Sequence, residues 1–386
     1  KAPVKRGEGT LPSRFNGDAD GDEAPVNFPD GYEKWLLDLV AIATVTDVMP
    51  LRGENRVLEK FGLLVLNKTR RPGLRKLLEV AGSTIGALDT ISIGFQIGPR
   101  LNAAGRMAHA NEALALLIEE NEARATVLAQ RLHELNVERQ KASQLMYEQA
   151  KQQIGKTDEP LIVACQEGWG AGLVGLVAGK LVNEYHRPVM VVGQDGERFV
   201  GSGRSIDGFD VTQALHQASE FLDRFGGHPQ ACGFSVTGRA RFARAVAAMK
   251  SFAASSPALA DVAPRLAVDA EIFLHDITWK FFDALQLFRP FGQGNPIPVF
   301  VSRGVRIGSL STVGKDGAHL KLRLAAHGGS LFDAIGFRMG DRAQKLTIGA
   351  AIDVVFEIQA NEWHANKQLQ LRLIDLKPAG TVDIPF

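Results

Sequence analysis

Arg100 and Arg106 frame the small-residue run Leu-Asn-Ala-Ala-Gly within IGPRLNAAGRM. A guanidinium carries a planar fork of donors that matches phosphate oxygens, and small residues between two forks let backbone amides approach an anion. Gly201-Ser-Gly-Arg-Ser205 and Phe225-Gly-Gly-His-Pro-Gln-Ala-Cys-Gly-Phe234 repeat the combination of glycine, a small polar residue and a basic side chain. Three such segments point to a polyanionic ligand, and each is expected to be a loop.

Two further patterns carry chemistry with a competing reading. Gly170-Ala-Gly-Leu-Val-Gly175 follows an apolar strand and opens a helix, with Asp195 downstream, as in a dinucleotide-binding turn. The turn Gln194-Asp-Gly-Glu197 argues against that use, because a dinucleotide fold continues through a crossover helix where this chain predicts a hairpin. The glycines then serve close helix-to-sheet packing, with or without a substrate beside them. Asp47, in Thr44-Val-Thr-Asp-Val-Met-Pro-Leu51, reads either as a loop aspartate bonding its own backbone or as an oxygen ligand for a hard cation. Asp18-Ala-Asp20-Gly-Asp22 lacks the closing glutamate of a calcium loop and reads as a solvated acidic loop.

These residues need rigid elements around them. Residues 1–31 are rich in Gly, Pro and Asp and predict loop or disorder. From Tyr32, apolar residues at helical spacing predict helices ending before Pro50, over 54–67 and over 72–81. Residues 122–153 contain neither Gly nor Pro and predict one long connecting helix, with Asn111 and Asn121 as caps. Strands from Leu161 and over 188–192, 198–202 and 233–236 alternate with helices, including 211–225 and 239–253. Beyond Pro264 five strands predict an OB-type barrel: 299–307, 319–325, 331–337, 352–360 and 368–376. In the second, His319, Lys321 and Arg323 alternate with leucines, so one face is basic. That face is either merely solvated or a nucleic-acid contact, with Trp363 and Phe332 as candidate stacking groups.

The chain has 386 residues, 45% of them hydrophobic, enough for several cores. With 44 basic and 43 acidic residues, a net charge of +1 argues against non-specific coating of nucleic acid and leaves room for a narrow basic groove. Cys165 and Cys232 form no metal spacing or disulfide framework, which fits a reducing compartment. No apolar run approaches the roughly 18 residues of a membrane span, and no signal core precedes Gly7. Beginning at Lys1 rather than Met, the chain reads as a processed product or a fragment.

From about residue 32 onward, the three basic segments in this order resemble the RecJ family of single-stranded-DNA exonucleases, within the DHH phosphoesterase superfamily. Gly226-Gly-His-Pro-Gln-Ala-Cys-Gly233 is similar to the signature of its DHHA1 domain, Arg289-Pro-Phe-Gly-Gln-Gly-Asn-Pro296 to its linker into a C-terminal barrel, and the Asp47 segment to a metal-ligating motif. The naming Asp-His-His is absent. The resemblance implies an α/β chain in which residues 1–31 are a loop or disordered segment and 32–110 a partial DHH domain. Residues 111–155 would be connecting helices, 156–256 a DHHA1 domain with a mixed sheet, and 264–386 an OB-type barrel. It implies hydrolysis of single-stranded DNA from the 5′ end with Mn²⁺ or Mg²⁺, in the cytoplasm, in repair and recombination, alongside single-stranded-DNA-binding or helicase partners. Asp47 would hold metal, Arg100, Asn102 and Arg106 would line the cleft, and Arg204, Ser205 and His228 would grip the terminal phosphate. Gly226 and Gly227 would admit that phosphate to the backbone, and His228 would act with Asp47 in catalysis. A two-metal site needs more than Asp47, so the metal site of this chain is incomplete. A non-catalytic DNA-binding scaffold and a phosphodiesterase for short oligoribonucleotides or cyclic dinucleotides are the alternatives.

Overall fold

The computed structural model describes residues 30–260, 266–325, 331–363 and 366–381. The Asp18-Ala-Asp20-Gly-Asp22 stretch lies outside the described residues, and the side chain of Trp363 is likewise not described.

A helical domain comes first, with α1 (Leu37–Thr46), α2 (Gly53–Leu66), α3 (Pro72–Ala81) and the single turn α4 (Thr90–Ser92). A π-helical turn, Ile93–Ile97, joins α4 to α5 (Gly98–Met107), and α6 (Asn111–Ile118) follows. Leucines three and four apart on α3 bury Leu74, Leu77 and Leu78 in a core with Ala41, Leu66, Ile93 and Ile97. Gly62 lets α1 and α2 close on each other, since a Cβ there would stand 2.6 Å from the Leu37 carbonyl. α7 (Glu122–Ile154) is a continuous 33-residue helix, its N-terminus capped where Asn121 Oδ1 accepts from the Arg124 amide at 3.0 Å. Its first half packs into the helical core and its second half onto the sheet that follows.

That sheet has the order β1-β2-β3-β5-β4, formed by β1 (Ile162–Glu167), β2 (Val189–Asp195), β3 (Arg198–Arg204), β4 (Arg224–His228) and β5 (Ala231–Thr237). β1 and β2 are parallel, joined by α8 (Ala171–Tyr185), and the other pairings are antiparallel. β2 turns into β3 through the predicted hairpin, Asp195 opposite Arg198 and Gly196 at φ 55°. α8 and the end of α7 cover one face over β1 and β2; α9 (Val211–Gln217) and α10 (Arg239–Ala254) cover the other. The helix predicted over 211–225 stops at Gln217, because Arg224 onward pairs with β5.

The C-terminal unit begins with the two-residue β6 (Ala270–Glu271) and α11 (Trp279–Gln286). β7 (Phe300–Val313), β8 (His319–Ala325), β9 (Leu331–Gly336), β10 (Ala351–Trp363) and β11 (Asn366–Pro378) then close into a barrel through the β10–β7 pairing. The alternation in β8 holds: Leu320, Leu322 and Leu324 are buried, Lys321 and Arg323 exposed. Arg323 pairs with Asp333 at 3.3 Å, and Phe332 is partly buried against the barrel core.

The linker 287–296 is clamped to the helical domain. Arg56 Nη2 donates to the carbonyls of Leu287, Phe288 and Arg289, the nearest at 2.8 Å. Arg52 Nε reaches the Gly294 carbonyl at 2.7 Å, Thr90 Oγ1 the Phe291 carbonyl at 2.6 Å, and the Leu51 amide the Gln293 carbonyl at 2.7 Å. Loop carbonyls thereby find partners, and the barrel is tied to α2 by directional bonds.

The basic segments depart from the expected loops, although 198–202 and 233–236 lie in strands as expected. Arg100–Met107 lies in α5, where Pro99 suits a first turn and Ala103 and Ala104 supply helix-forming core contacts. The Gly201 and Gly226 segments are strands. Their glycines make room: a Cβ at Gly201 would meet the Phe234 ring at 2.3 Å, and one at Gly203 the Cys232 sulfur at 2.6 Å.

Candidate phosphate-binding cleft

The head of α8 gathers the basic groups. Arg204, at the end of β3, and Arg106, at the end of α5, both turn toward it, and two glycines of the G-x-G-x-x-G run open the space. A Cβ at Gly172 would stand 2.7 Å from the Arg106 carbonyl, and one at Gly175 would stand 2.9 Å from Arg204 Nη2. The glycine pattern thus serves packing against arginines, in line with the packing reading of the sequence. Arg106 Nη1 donates to the Gly172 carbonyl at 2.9 Å. Arg204 Nη1 donates to Ser202 Oγ at 2.8 Å and to the Gly203 carbonyl at 2.7 Å.

Among the described residues no carboxylate ion-pairs with Arg106 or Arg204. Burial pushes the Arg204 guanidinium below the usual arginine range, and the nearby charge of Arg106 adds to the shift. A cationic donor held half out of water by neutral acceptors, as Arg204 is, with the exposed Arg106 beside it, is what a multiply charged anion can satisfy. The neighbouring Cys232 is no nucleophile, because burial raises its thiol to about 11.

Strand register adds His228 to this face. Arg204 lies opposite Ala231, and Ala231 opposite His228, so the three form one row across β3, β5 and β4. At the usual strand spacing Arg204 and His228 stand roughly 10 Å apart on a shared face. The floor between and beside them is made of small residues. A Cβ at Gly226 would meet nothing within 4 Å, and one at Gly233 only the Gly201 carbonyl at 3.8 Å, so a ligand can lie close to the backbone. Gly227 belongs to the opposite face, at φ 149°, where a Cβ would collide with the Ala231 carbonyl at 2.4 Å.

Other expected residues fall elsewhere. Arg100 points away: its Nη1 donates to the Gln96 carbonyl at 2.7 Å and its Nε to His133 Nδ1 at 3.3 Å. On a helix, positions six apart are separated by about 240°, so Arg100 and Arg106 do not share a face. Ser205 is buried with its hydroxyl donating to the Phe209 carbonyl at 2.6 Å, which gives it a structural role. Asn102 does line the cleft.

Asp47 caps the C-terminus of α1 and is exposed. The helix ends in a Schellman arrangement, the Met49 amide bonding the Thr44 carbonyl at 3.0 Å and the Val48 amide the Val45 carbonyl at 3.1 Å. Val48 occupies the left-handed position usually given to glycine, at φ 56°, so backbone strain adjoins Asp47. Among the described residues no group of three His, Cys, Asp or Glu side chains converges to hold a metal. These residues alone do not fit a two-metal site.

Between α1, α5, α7, the linker and the barrel lies a cavity of about 960 Å³. Asn102, Arg106 and Arg139 line one part of it, and Val48, Ile91, Phe95, Leu287, Phe291 and Ile297 another. Arg139 went unnoticed in the sequence because it lies in a helix read as a connector. The available signal was Asn136 and Arg139 at i and i+3, on the side that carries Leu132 and Leu135.

Two sequence families match the chain: a DHHA1 domain over residues 158–255 and a RecJ OB domain over residues 268–375. The single-stranded-DNA-specific exonuclease RecJ of Bacillus subtilis is 35% identical over 348 residues, 88% of this chain and 44% of that protein. The RecJ of Thermus thermophilus is 31% identical, across 88% of this chain and 48% of that protein. Crystal structures of Thermus thermophilus RecJ in complex with Mg²⁺ and with Mn²⁺ superpose with a TM-score of 0.80 at 30% identity. They cover 92% of this chain and, for the Mg²⁺ complex, 53% of the solved chain. The chain spans about half the length of these relatives.

Proposed function

From this homology to RecJ over most of the chain, we propose that the protein holds single-stranded DNA by its phosphates in the cleft at the head of α8. It would be the DNA-gripping part of a 5′-to-3′ exonuclease that hydrolyses phosphodiester bonds in DNA repair and recombination. The carrying observation is the pair Arg106 and Arg204, half-buried or at the cleft mouth, unpaired by carboxylates among the described residues and set beside a floor of small residues. Asn102 lines the approach, and His228 completes the row with a ring that donates to a phosphate oxygen or to charge developing on it.

Mn²⁺ or Mg²⁺ is the proposed cofactor of the complete activity, where it would activate water and stabilise the leaving oxygen. Asp47 is the proposed ligand from this chain, and the remaining ligands must come from outside the described residues. A non-catalytic scaffold on the same fold is the second reading, favoured by the lack of a metal-holding cluster among the described residues. The RecJ OB domain over 268–375 weighs against a phosphodiesterase of short oligoribonucleotides, since it extends the chain beyond DHHA1. No helix among the described residues is long and apolar enough to cross a membrane. A cytoplasmic location and single-stranded-DNA-binding or helicase partners accompany this reading.

The test is binding of a fluorescent oligothymidylate across a salt series. Each phosphate contact to a single strand contributes a slope of about −0.7 in log K against log salt. Arg204→Ala should weaken binding and flatten the slope by one such step; unchanged affinity and slope would remove Arg204 from the cleft. With Mn²⁺ present, the purified chain should bind the strand without releasing mononucleotides, and metal-dependent release would overturn the account of its metal site.

A further inference from the structure

Resting on the reading that Arg106 and Arg204 hold phosphate, we propose that Arg139, from the connecting helix α7, is a third phosphate ligand of the same cleft, and that Asn136 positions it. Arg139 is half-buried in the wall of the interdomain cavity, which it shares with Asn102 and Arg106. Its Nε and Nη2 both donate to Asn136 Oδ1, at 3.3 and 2.9 Å, and Asn136 is only 2% exposed. Among the described residues no carboxylate ion-pairs with it.

The identity of residue 136 is the informative part. An aspartate there would accept the same fork and neutralise it. The amide fixes the guanidinium by geometry and leaves its full charge in the cleft. That arrangement is costly in the free protein: burial pushes Arg139 below the usual arginine range, and the charge of Arg106 lowers it further. Two cations in each other's field, one of them half-buried, are relieved by an anion entering between them.

The position of Arg139 also gives it a task that Arg204 lacks. Residues 136–139 fall between the half of α7 that packs in the helical core, through Leu132 and Leu135, and the half that packs against the sheet, through Met146 and Ala150. A strand whose phosphates engage Arg106, Arg139 and Arg204 would therefore touch α5, the connecting helix and β3 at once. Strand binding is thereby coupled to the arrangement of the two domains.

The experiment measures binding of a 5′-phosphorylated oligothymidylate to the purified chain over a salt series, with thermal melts alongside. Arg139→Ala should weaken binding about 10- to 100-fold, the range for a hydrogen bond to a charged group, and flatten the salt slope by about 0.7. Asn136→Asp, nearly isosteric, should weaken binding comparably while the melting temperature holds or rises, because the new carboxylate pairs the guanidinium in place. A purely structural Asn136–Arg139 pair gives the opposite pattern, a stability change with affinity untouched. Arg139→Lys should be intermediate, keeping charge without the fork. Arg106→Ala separates the two levels. If it weakens binding while Arg139→Ala and Asn136→Asp do not, the third ligand is refuted and the cleft stands; if Arg106→Ala is also silent, the cleft reading falls and takes this inference with it. Should Arg139→Ala fail to fold, Asn136→Asp decides.

Discussion

Gly175→Ala isolates the link between a glycine and the arginine proposed to bind phosphate. The added Cβ would stand 2.9 Å from Arg204 Nη2 and 3.1 Å from Ser202 Oγ. Non-bonded carbon contacts are comfortable at about 3.5–4.0 Å, so the guanidinium must swing away by several tenths of an ångström or more. The yielding atoms are the end of a flexible side chain, so the backbone stays and the fold loses little. The interior of α8 meanwhile gains roughly 1 kcal/mol of helix propensity from alanine. Arg204, dislodged from Ser202 and Gly203, loses its preset pose, and a charge-assisted bond to phosphate is worth about 1.5–3 kcal/mol. The expected result is a melting temperature unchanged or raised, with single-stranded-DNA affinity down roughly 10- to 100-fold. Gly179→Ala is the control on the same helix, since a Cβ there meets nothing within 4 Å; it should gain the propensity and keep the affinity. Anisotropy titrations and thermal melts of the two variants give the answer. If Gly175→Ala binds like the parent, Gly175 does not set Arg204 for DNA. If it melts several degrees lower with affinity intact, its role is packing alone.

Glu59 on α2 is fully buried, neither carboxylate oxygen has a hydrogen-bond partner among the described residues, and burial raises it from an ordinary 4.5 to about 7. A raised folded-state value means stability fully present below about pH 4.5 and lost as pH rises through about 7, on the order of 3 kcal/mol in all. Urea unfolding at pH 5 and pH 8 should show that loss in the parent and not in Glu59→Gln; an equal loss in both would place the pH dependence elsewhere. His228→Ala should lower affinity for 5′-phosphorylated strands by about 10-fold, a charged hydrogen bond's worth, with little change in melting temperature because the side chain is exposed; a lost melting temperature with normal affinity would make it a fastener of the β4–β5 turn.

Elements governed by local rules were legible in the residues. α3 begins at Pro72 and ends before Gly82 at φ 69°, and α7 fills a stretch without Gly or Pro. Two of the five barrel strands lie within a residue of their expected bounds, and the other three extend beyond them. The basic segments were legible only where they overlap the expected strands 198–202 and 233–236, because glycine's local signal cannot separate an open turn from a strand pressed against an aromatic ring. Gly201 is the second case, explained only by Phe234 on the partner strand. The choice between Arg100 and Arg106 likewise needed the helix, which turns one into the cleft and the other toward Gln96. Which basic side chains share a face is a property of register and domain packing: Arg204 and His228 are aligned through Ala231, and Arg139 arrives from a helix read as a spacer.

The cleft's two walls have different origins, and the difference bears on strand selectivity. One wall carries the arginines, on elements joined by apolar cores. The opposite wall includes the linker, held in place by the guanidiniums of Arg52 and Arg56 and the hydroxyl of Thr90. Those bonds depend on direction as well as distance, so they fix Leu287, Phe291 and Ile297 at the cavity rather than letting them collapse into it. On the proposed reading, phosphates engage the basic wall while the apolar wall, with Ile91 and the 77% exposed Phe95, is left for groups with a flat apolar face. An unpaired base offers such a face. A duplex stacks its bases inward and presents phosphate instead, so it has no flat apolar face to offer these residues. On that reading, preference for single strands follows from the exposed apolar residues that line the cavity beside its basic groups.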